Sequence, residues 1–291
     1  MRERDLERIE SKIDVLRRRD GDGGARRVEA AVFDRSTLMT IAKLFSDRIL
    51  ETIEFPISTG KEAVVFSAKT ADSHPGVEDT GWAAVKIYRI SNAEFRTLAR
   101  YIDGDPRFDK VKKDLRNIIY TWSQKEFKNF LRSEAAGINV PHVFHVRRNV
   151  LVMELITNGE KIAQMMKDVK LKDPHVFYHD LLGQVRTLFQ KAKLVHADMS
   201  EYNVLVRDDR PVIIDMGQAV VLEHPNAMEF LERDVRNLVR VFTKLGVECD
   251  EEGVMAHITG KGEEEFPLEP ADKHDDPNSK RHRIRRGFSI E

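Results

Sequence analysis

Only one cysteine, Cys249, occurs in the 291 residues. With no second thiol, an intramolecular disulfide and a cysteine-based zinc cluster are both excluded, which fits a reducing cytoplasm. No apolar run approaches the ~20 residues that span a bilayer. The charged opening MRERDLERIE also lacks the apolar stretch of a signal peptide, so a cytoplasmic protein with no membrane partner is expected. An excess of either charge is missing too. The 48 Lys and Arg nearly balance 49 Asp and Glu, so any contact with nucleic acid must come from a local patch rather than the field of the whole molecule. Glycine is sparse where a phosphate-binding loop would need it: Gly60 in STGKEA stands alone, without a G-x-G-x-x-G array. What is present is 41% hydrophobic and 33% charged, a globular composition long enough for one large domain or two lobes with tails.

Along the chain the organisation changes several times. Residues 1–27 hold nine Lys or Arg and seven Asp or Glu. Ile9, Ile13 and Leu16 have helical spacing, but the charge density predicts a solvated arm over 1–32. From Phe33 the pattern firms: Asp34 or Ser36 is placed to cap a helix through Leu38, Ile41, Ala42, Leu44 and Phe45. Ile57 and Val64–Phe66 flank the STGKEA turn as two strands, and WAAVKIYRI reads as a third. A short helix over Phe95, Leu98 and Tyr101 precedes the broken loop IDGDPRFD. A longer stripe through Val111, Leu115, Ile118, Ile119, Trp122 and Phe130 marks a core-facing helix. Two strands around 147–149 complete a first unit over 33–152. A second unit, 153–247, begins at MELI, returns to helix from Phe177 to Phe189, and forms a hairpin from Val204–Val206 and Val212–Ile214. It ends in a helix through Met228, Leu231, Val235, Leu238, Phe242 and Leu245. Periodicity is then lost, and 248–291 is expected to be a charged, disordered tail. Its run KRHRIRR (280–286) has five Lys or Arg in seven residues, enough to meet RNA phosphates.

The chemistry centres on LVHADMSEYNVLV, 194–206. His196, Asp198 and Asn203 follow H-x-D-x-x-x-x-N, the spacing of a kinase catalytic loop, held between apolar anchors. By itself this is also what a polar turn between a helix and a hairpin would look like. Lys86 lies inside an apolar strand, where an ammonium needs an anion, unless it points outward. Glu126 stands four residues from both Trp122 and Phe130 and so faces inward as Lys86 does, unless it pairs with Lys125 or solvent. Asp215 ends the hairpin next to the 198–203 loop. Together these predict that Lys86, held by Glu126, grips the α and β phosphates of ATP. Asn203 and Asp215 would hold Mg2+, with Mn2+ as an alternative, and Asp198 would accept the proton of an incoming hydroxyl.

STGKEA (58–63), IYRI (87–90) with YIDGDPRF (101–108), MELI (153–156), HADMSEYN (196–203) and IDMGQAV (214–220) together resemble the RIO family of atypical protein kinases, over about 33–245. HPNAMEFLERDVRNL and the short front region are similar to the first RIO subfamily; the second carries a winged-helix domain ahead of its kinase lobe. The resemblance implies an α+β, bilobal, protein-kinase-like fold with a small N-lobe sheet and helix and a larger, mainly helical C-lobe. It implies Ser58, Gly60 and Lys61 near the phosphates, and Glu154 and Ile156 offering backbone groups to adenine. It also implies an autophosphorylating serine/threonine kinase and ATPase, a monomer, acting on the precursor of the small ribosomal subunit, with rRNA met through the basic tail, and an aspartate at 215 that can itself be phosphorylated. The sequence departs from the family at Val64 and Phe66, where Asn and Tyr are more usual, and at Gly217, where serine is expected. The missing A-P-E segment and Ala197 in place of the H-R-D arginine fit the family and argue against a standard peptide groove. Two other readings stay open: a small-molecule phosphotransferase of the aminoglycoside or choline kinase type, and a non-catalytic, ATP-bound rRNA assembly factor.

Overall fold

The computed structural model describes residues 7, 9–13, 32–71, 81–90, 99–108 and 114–261. Helix α1 (Arg35–Ser46) starts where the Asp34 carboxylate accepts from the Thr37 N–H at 2.7 Å, satisfying one of the donors that a helix start leaves open. Strands β1 (Leu50–Thr59), β2 (Ala63–Thr70), β3 (Trp82–Tyr88), β4 (Val143–Arg147) and β5 (Val150–Glu154) form an antiparallel sheet in the order β1-β2-β3-β5-β4. The two-residue period of a strand sends Ala83, Val85 and Ile87 to one face of the sheet and Ala84, Lys86 and Tyr88 to the other. The first set packs with Val64, Phe66, Val150 and Val152 against Leu38, Ile41 and Leu44 of α1. Each of the valines, leucines, isoleucines and the phenylalanine contributes about 1.5–3 kcal/mol by leaving water.

Ile9 and Ile13 belong to this same cluster. The Lys12 carbonyl accepts from the Ile53 N–H at 3.0 Å, and Ile13 bridges Ile53 in parallel. The expectation of a solvated arm is therefore corrected for 9–13: two isoleucines find an apolar seat on β1 that the surrounding charges conceal. Leu16 lies outside the described residues.

The opposite face of the sheet packs on α2 (Leu115–Ala135), capped by Asp114, and shares one apolar core with the second lobe. Val111, Phe95 and Leu98 lie outside the described residues, and a 3-10 turn, Ala99–Tyr101, precedes the broken loop. The C-lobe follows with three two-residue strands, β6 (Thr157–Asn158), β7 (Lys161–Ile162) and β8 (Gln164–Met165), then α3 (Pro174–Gln190), β9 (Leu194–Val195), β10 (Val204–Arg207), β11 (Arg210–Ile213), β12 (Val220–Val221), α4 (Ala227–Lys244) and α5 (Glu251–Thr259). This is the bilobal, kinase-like α+β arrangement expected, with the hairpin β10–β11 extended by β8 into a three-stranded sheet.

Two details of the C-lobe differ from expectation. On α4 the buried stripe runs through Ala227, Phe230, Leu231, Asp234, Val235, Leu238, Val241 and Phe242, while Met228 and Leu245 are exposed. Residues 248–260 are not tail. Asp250 accepts from the Gly253 N–H to cap α5, Val254 and Ile258 are buried, and Gln190 donates to the Ile258 carbonyl at 3.0 Å. Only two residues of this short helix, four apart, are fully buried, with Met255 packed partly against the same core, too few to show as a periodicity. The basic run 280–286 lies outside the described residues. Among the described residues no helix is long and apolar enough to cross a membrane.

Candidate active site

The ladder on either side of the loop brings its polar residues together. Asn203 directly precedes β10 and Asp215 is the second residue after β11; Val204 pairs with Ile213, and the Ile214 N–H donates to the Asn203 carbonyl at 2.9 Å. At the other end β9 pairs with β12, so that 196–203 and 214–219 are joined at both ends. Two residues in the enclosed loops, Ala197 (φ 64°) and Asp215 (φ 59°), take the left-handed backbone region, which costs a non-glycine residue about 1–3 kcal/mol and persists only where surrounding contacts over-determine it.

Lys86 is the centre of the cluster. Its ammonium lies 2.9 Å from Glu126 Oε1 and 3.0 Å from Asp215 Oδ1, with only 9% of its side chain exposed. Burial alone would lower its pKa, but the charges of Asp215 and Glu126 outweigh this and hold it above the ordinary lysine value. Burial pushes the Glu126 carboxyl up to about 7, against the pull of Lys86. Asp215 keeps 45% of its side chain open; desolvation works against its ionisation, and Lys86 overcomes this to hold it below the usual carboxylate range. Asp198 accepts from Asn203 Nδ2 at 3.0 Å and from Gln218 Nε2 at 3.2 Å. Partial burial and the neighbouring Asp215 charge raise its carboxyl to about 6. His196 is buried and held below its ordinary value by desolvation. Its Nε2, 3.1 Å from the Ile214 carbonyl, carries the proton, because a carbonyl only accepts.

The donor set suits a hard divalent ion shared with phosphates. Lys86 pairs with Glu126 and Asp215, and the Asp198 carboxylate stands beside Asp215 within reach of the charges of Arg233 and Lys86. With Asn203 Nδ2 committed to Asp198, its Oδ1 is the atom left to coordinate a cation beside Asp215. Among the described residues no group of three or more His, Cys, Asp or Glu forms a metal cage. Mg2+ is instead usually held by one or two carboxylates together with phosphate oxygens and water, and kinase-type sites add an Asn, a set that Asp215 and Asn203 could supply.

The remaining expected residues sit along the rims. Ser58, next to the last residue of β1, stands opposite Val65, and the turn closes through the Gly60 N–H to the Ala63 carbonyl at 2.9 Å, with Lys61 exposed at its tip. On the inter-lobe link the Glu154 carboxylate is held by Arg207 Nη1 (2.7 Å) and by the His142 N–H (3.1 Å). The Glu154 N–H donates to the His142 carbonyl and the Ile156 carbonyl accepts from Ala163.

Several residues at the site were not expected. Buried Asp234 on α4 accepts from the Ala197 N–H at 2.7 Å and the Met199 N–H at 2.9 Å; burial raises its carboxyl to about 7 despite them. Arg233 donates to the Ala197 carbonyl, so both peptide groups of this strained residue are held. Lys125 does not pair with Glu126. Fully buried, it donates to the Gly217 carbonyl at 2.8 Å and to that of Ala219, with its pKa lowered by desolvation to about 7. Gly217 has a packing reason: a Cβ there would stand 2.6 Å from Trp122 Nε1, so the serine expected at this position has no room. The signal available in the sequence was an aspartate, a lysine and an asparagine on otherwise apolar helical stripes, since buried polar groups require partners.

A family model described as the RIO domain matches residues 64–254. That match covers well over half of the chain. The chain belongs to the RIO family. It is 40% identical over 253 residues to the RIO-type serine/threonine-protein kinase Rio1 of Haloferax volcanii, covering 87% of this chain and 84% of the relative. It is 38% identical over 230 residues to Rio1 of Methanocaldococcus jannaschii, covering 79% and 76%. Among solved structures it is similar to the Rio2 kinase–ADP/Mg2+–phosphoaspartate complex from Chaetomium thermophilum, with a TM-score of 0.57, 22% identity and coverage of 78% of this chain and 67% of the other. At that identity the likeness speaks to the fold. The RIO match runs into α5, in accord with a folded segment beyond 247.

Proposed function

We propose that this RIO chain is a Mg2+-ATP-dependent, autophosphorylating serine/threonine kinase and ATPase of the cytoplasm that acts in maturation of the small ribosomal subunit. The single observation that carries the catalytic part is the buried Lys86 ammonium clasped between Glu126 and Asp215, with Asp198 and Asn203 hydrogen-bonded beside it. Lys86, kept protonated, would bind the α and β phosphates, and Glu126 would orient it. Ser58, Gly60 and Lys61 would cover the phosphates, and the Glu154 carbonyl and Ile156 N–H would meet adenine. Asn203 and Asp215 would hold Mg2+, which when bound neutralises charge on the phosphates; Mn2+ has the same ligand preferences. Asp198, ionised above about pH 6, would take the proton from the attacking hydroxyl or water, and Asn203 and Gln218 would aim its carboxylate.

The test is Asp198→Ala. ATP affinity should stay within a few-fold of wild type while turnover falls by about 10²–10⁴-fold, the usual worth of a positioned general base; a fully active variant sinks the assignment. Labelled ATP followed by hydroxylamine distinguishes an acyl phosphate on Asp215, as in the phosphoaspartate of the Rio2 complex, from phosphoserine. Robust phosphorylation of a sugar or amino alcohol would instead favour the small-molecule phosphotransferases.

A further inference from the structure

The segment after Asp215 is gripped from one helix. Lys125 and Asn129, one turn apart on α2, face the same way. Lys125 donates to the carbonyls of Gly217 and Ala219, and Asn129 Nδ2 donates to those of Met216 (2.9 Å) and Ala219 (2.8 Å). Trp122, one turn earlier, fills the space over Gly217. All three side chains are buried. The Asn129 amide is itself oriented from outside: Arg107 Nη1 donates to Asn129 Oδ1 at 2.9 Å, which turns Nδ2 toward the carbonyls. Arg107 is in turn clamped by buried Asp105, with Nε to Oδ1 at 2.9 Å and Nη2 to Oδ2 at 2.7 Å. A chain of contacts therefore runs from the 99–108 loop through α2 to three carbonyls within the four residues that follow Asp215, a residue in the left-handed region. The neighbour of Lys125 on α2 is Glu126, the partner of Lys86.

We propose that Lys125 and Asn129 are positioning residues for Asp215: by holding the carbonyls of Met216, Gly217 and Ala219 they keep the Asp215 backbone in the conformation that presents its carboxylate to a divalent cation. The 99–108 loop, through Arg107, sets the Asn129 amide. The site thus has a built-in brace where a kinase controlled by an activation loop would use a switchable one. This inference rests on the reading of Asp215 as a metal ligand.

The experiment uses the full chain and two variants, Asn129→Leu and Arg107→Gln. Binding of ATP is measured by calorimetry in EDTA and again across a Mg2+ titration, with turnover and Tm recorded alongside. The brace predicts that Asn129→Leu leaves ATP affinity in EDTA within about twofold of wild type but raises the Mg2+ concentration needed for half-maximal gain in affinity by about tenfold, the usual consequence of removing a group that supports a metal ligand. Arg107→Gln, at the rim of the network, should shift the Mg2+ requirement the same way by a smaller factor, and it decides the matter if Asn129→Leu does not fold. A lower Tm with an unchanged Mg2+ requirement overturns the proposal and leaves these residues as packing only. A wild-type chain whose ATP affinity does not respond to Mg2+ overturns both this inference and the metal-ligand reading. A wild-type response that both variants retain overturns the inference alone.

Discussion

Replacing Asp234 by alanine gives the sharpest test of how the loop is built. Its carboxylate is the acceptor for the Ala197 and Met199 N–H groups, at 2.7 and 2.9 Å, in a fully buried position. Truncation leaves two buried donors without partners, at about 1–3 kcal/mol each, and it removes a carboxylate whose ionisation burial opposes, which returns part of that cost. A net loss of about 2–4 kcal/mol is expected, equivalent to roughly 5–15 °C in Tm for a domain of this size. Turnover should fall further than stability accounts for, because Ala197 at φ 64° then has one fewer constraint beside Asp198. Asp234→Asn keeps one acceptor and should lose about half as much. There is also a pH signature. The folded carboxyl titrates at about 7 against ~3.9 unfolded, so between those values the folded state binds the extra proton and wild-type stability declines as pH rises. Asp234→Asn lacks that decline, so the gap between the two proteins should narrow toward pH 7. Urea and thermal unfolding from pH 5 to 8, with turnover at saturating Mg2+-ATP, measure all of this. An alanine variant within about 0.5 kcal/mol of wild type, the range of an ordinary surface change, and fully active would refute the reasoning.

Two further predictions concern the site. Because the Asp198 carboxyl is raised to about 6 by burial and by the charge of Asp215, kcat/KM should fall tenfold per unit as pH drops below about 6, while the acid limb of kcat should lie lower once a bound cation offsets Asp215. Identical limbs in a pH–rate series would remove Asp215 as a cause. Gly217→Ala should destabilise by about 1–3 kcal/mol through overpacking, since its Cβ would meet Trp122 Nε1 at 2.6 Å, and a Trp122→Leu background should relieve most of that loss; equal penalties in both backgrounds, measured by urea unfolding, would show that the indole is not the obstacle.

Much of the site was legible because two periodicities converge on it. The strand period puts Lys86 on the face of Ala84 and Tyr88, and the helix period puts Glu126 on the face of Trp122 and Phe130; the two faces meet. Asp34 at the start of α1 and the β10–β11 hairpin were equally readable, because capping and hairpin closure are local. What escaped was either sparse or long-range. Ile9 and Ile13, and Val254 and Ile258, are pairs in charged or short surroundings, and their burial depends on surfaces formed elsewhere in the chain.

Lys125, Asn129 and Asp234 escaped for a different reason. Their partners are backbone groups of Gly217, Ala219, Met216, Ala197 and Met199, and a peptide group leaves no mark in a sequence. Pairing Lys125 with the adjacent Glu126 follows from looking only for an opposite charge. In the fold, the lysine meets two carbonyl oxygens, while the glutamate reaches a lysine forty residues away. Loops with residues in the left-handed region need such backbone-directed partners most, because hydrogen bonds to fixed peptides are what over-determine a strained φ. A polar residue on the buried stripe of a helix that borders a catalytic loop is therefore better read as a holder of that loop's backbone than as an error in the stripe.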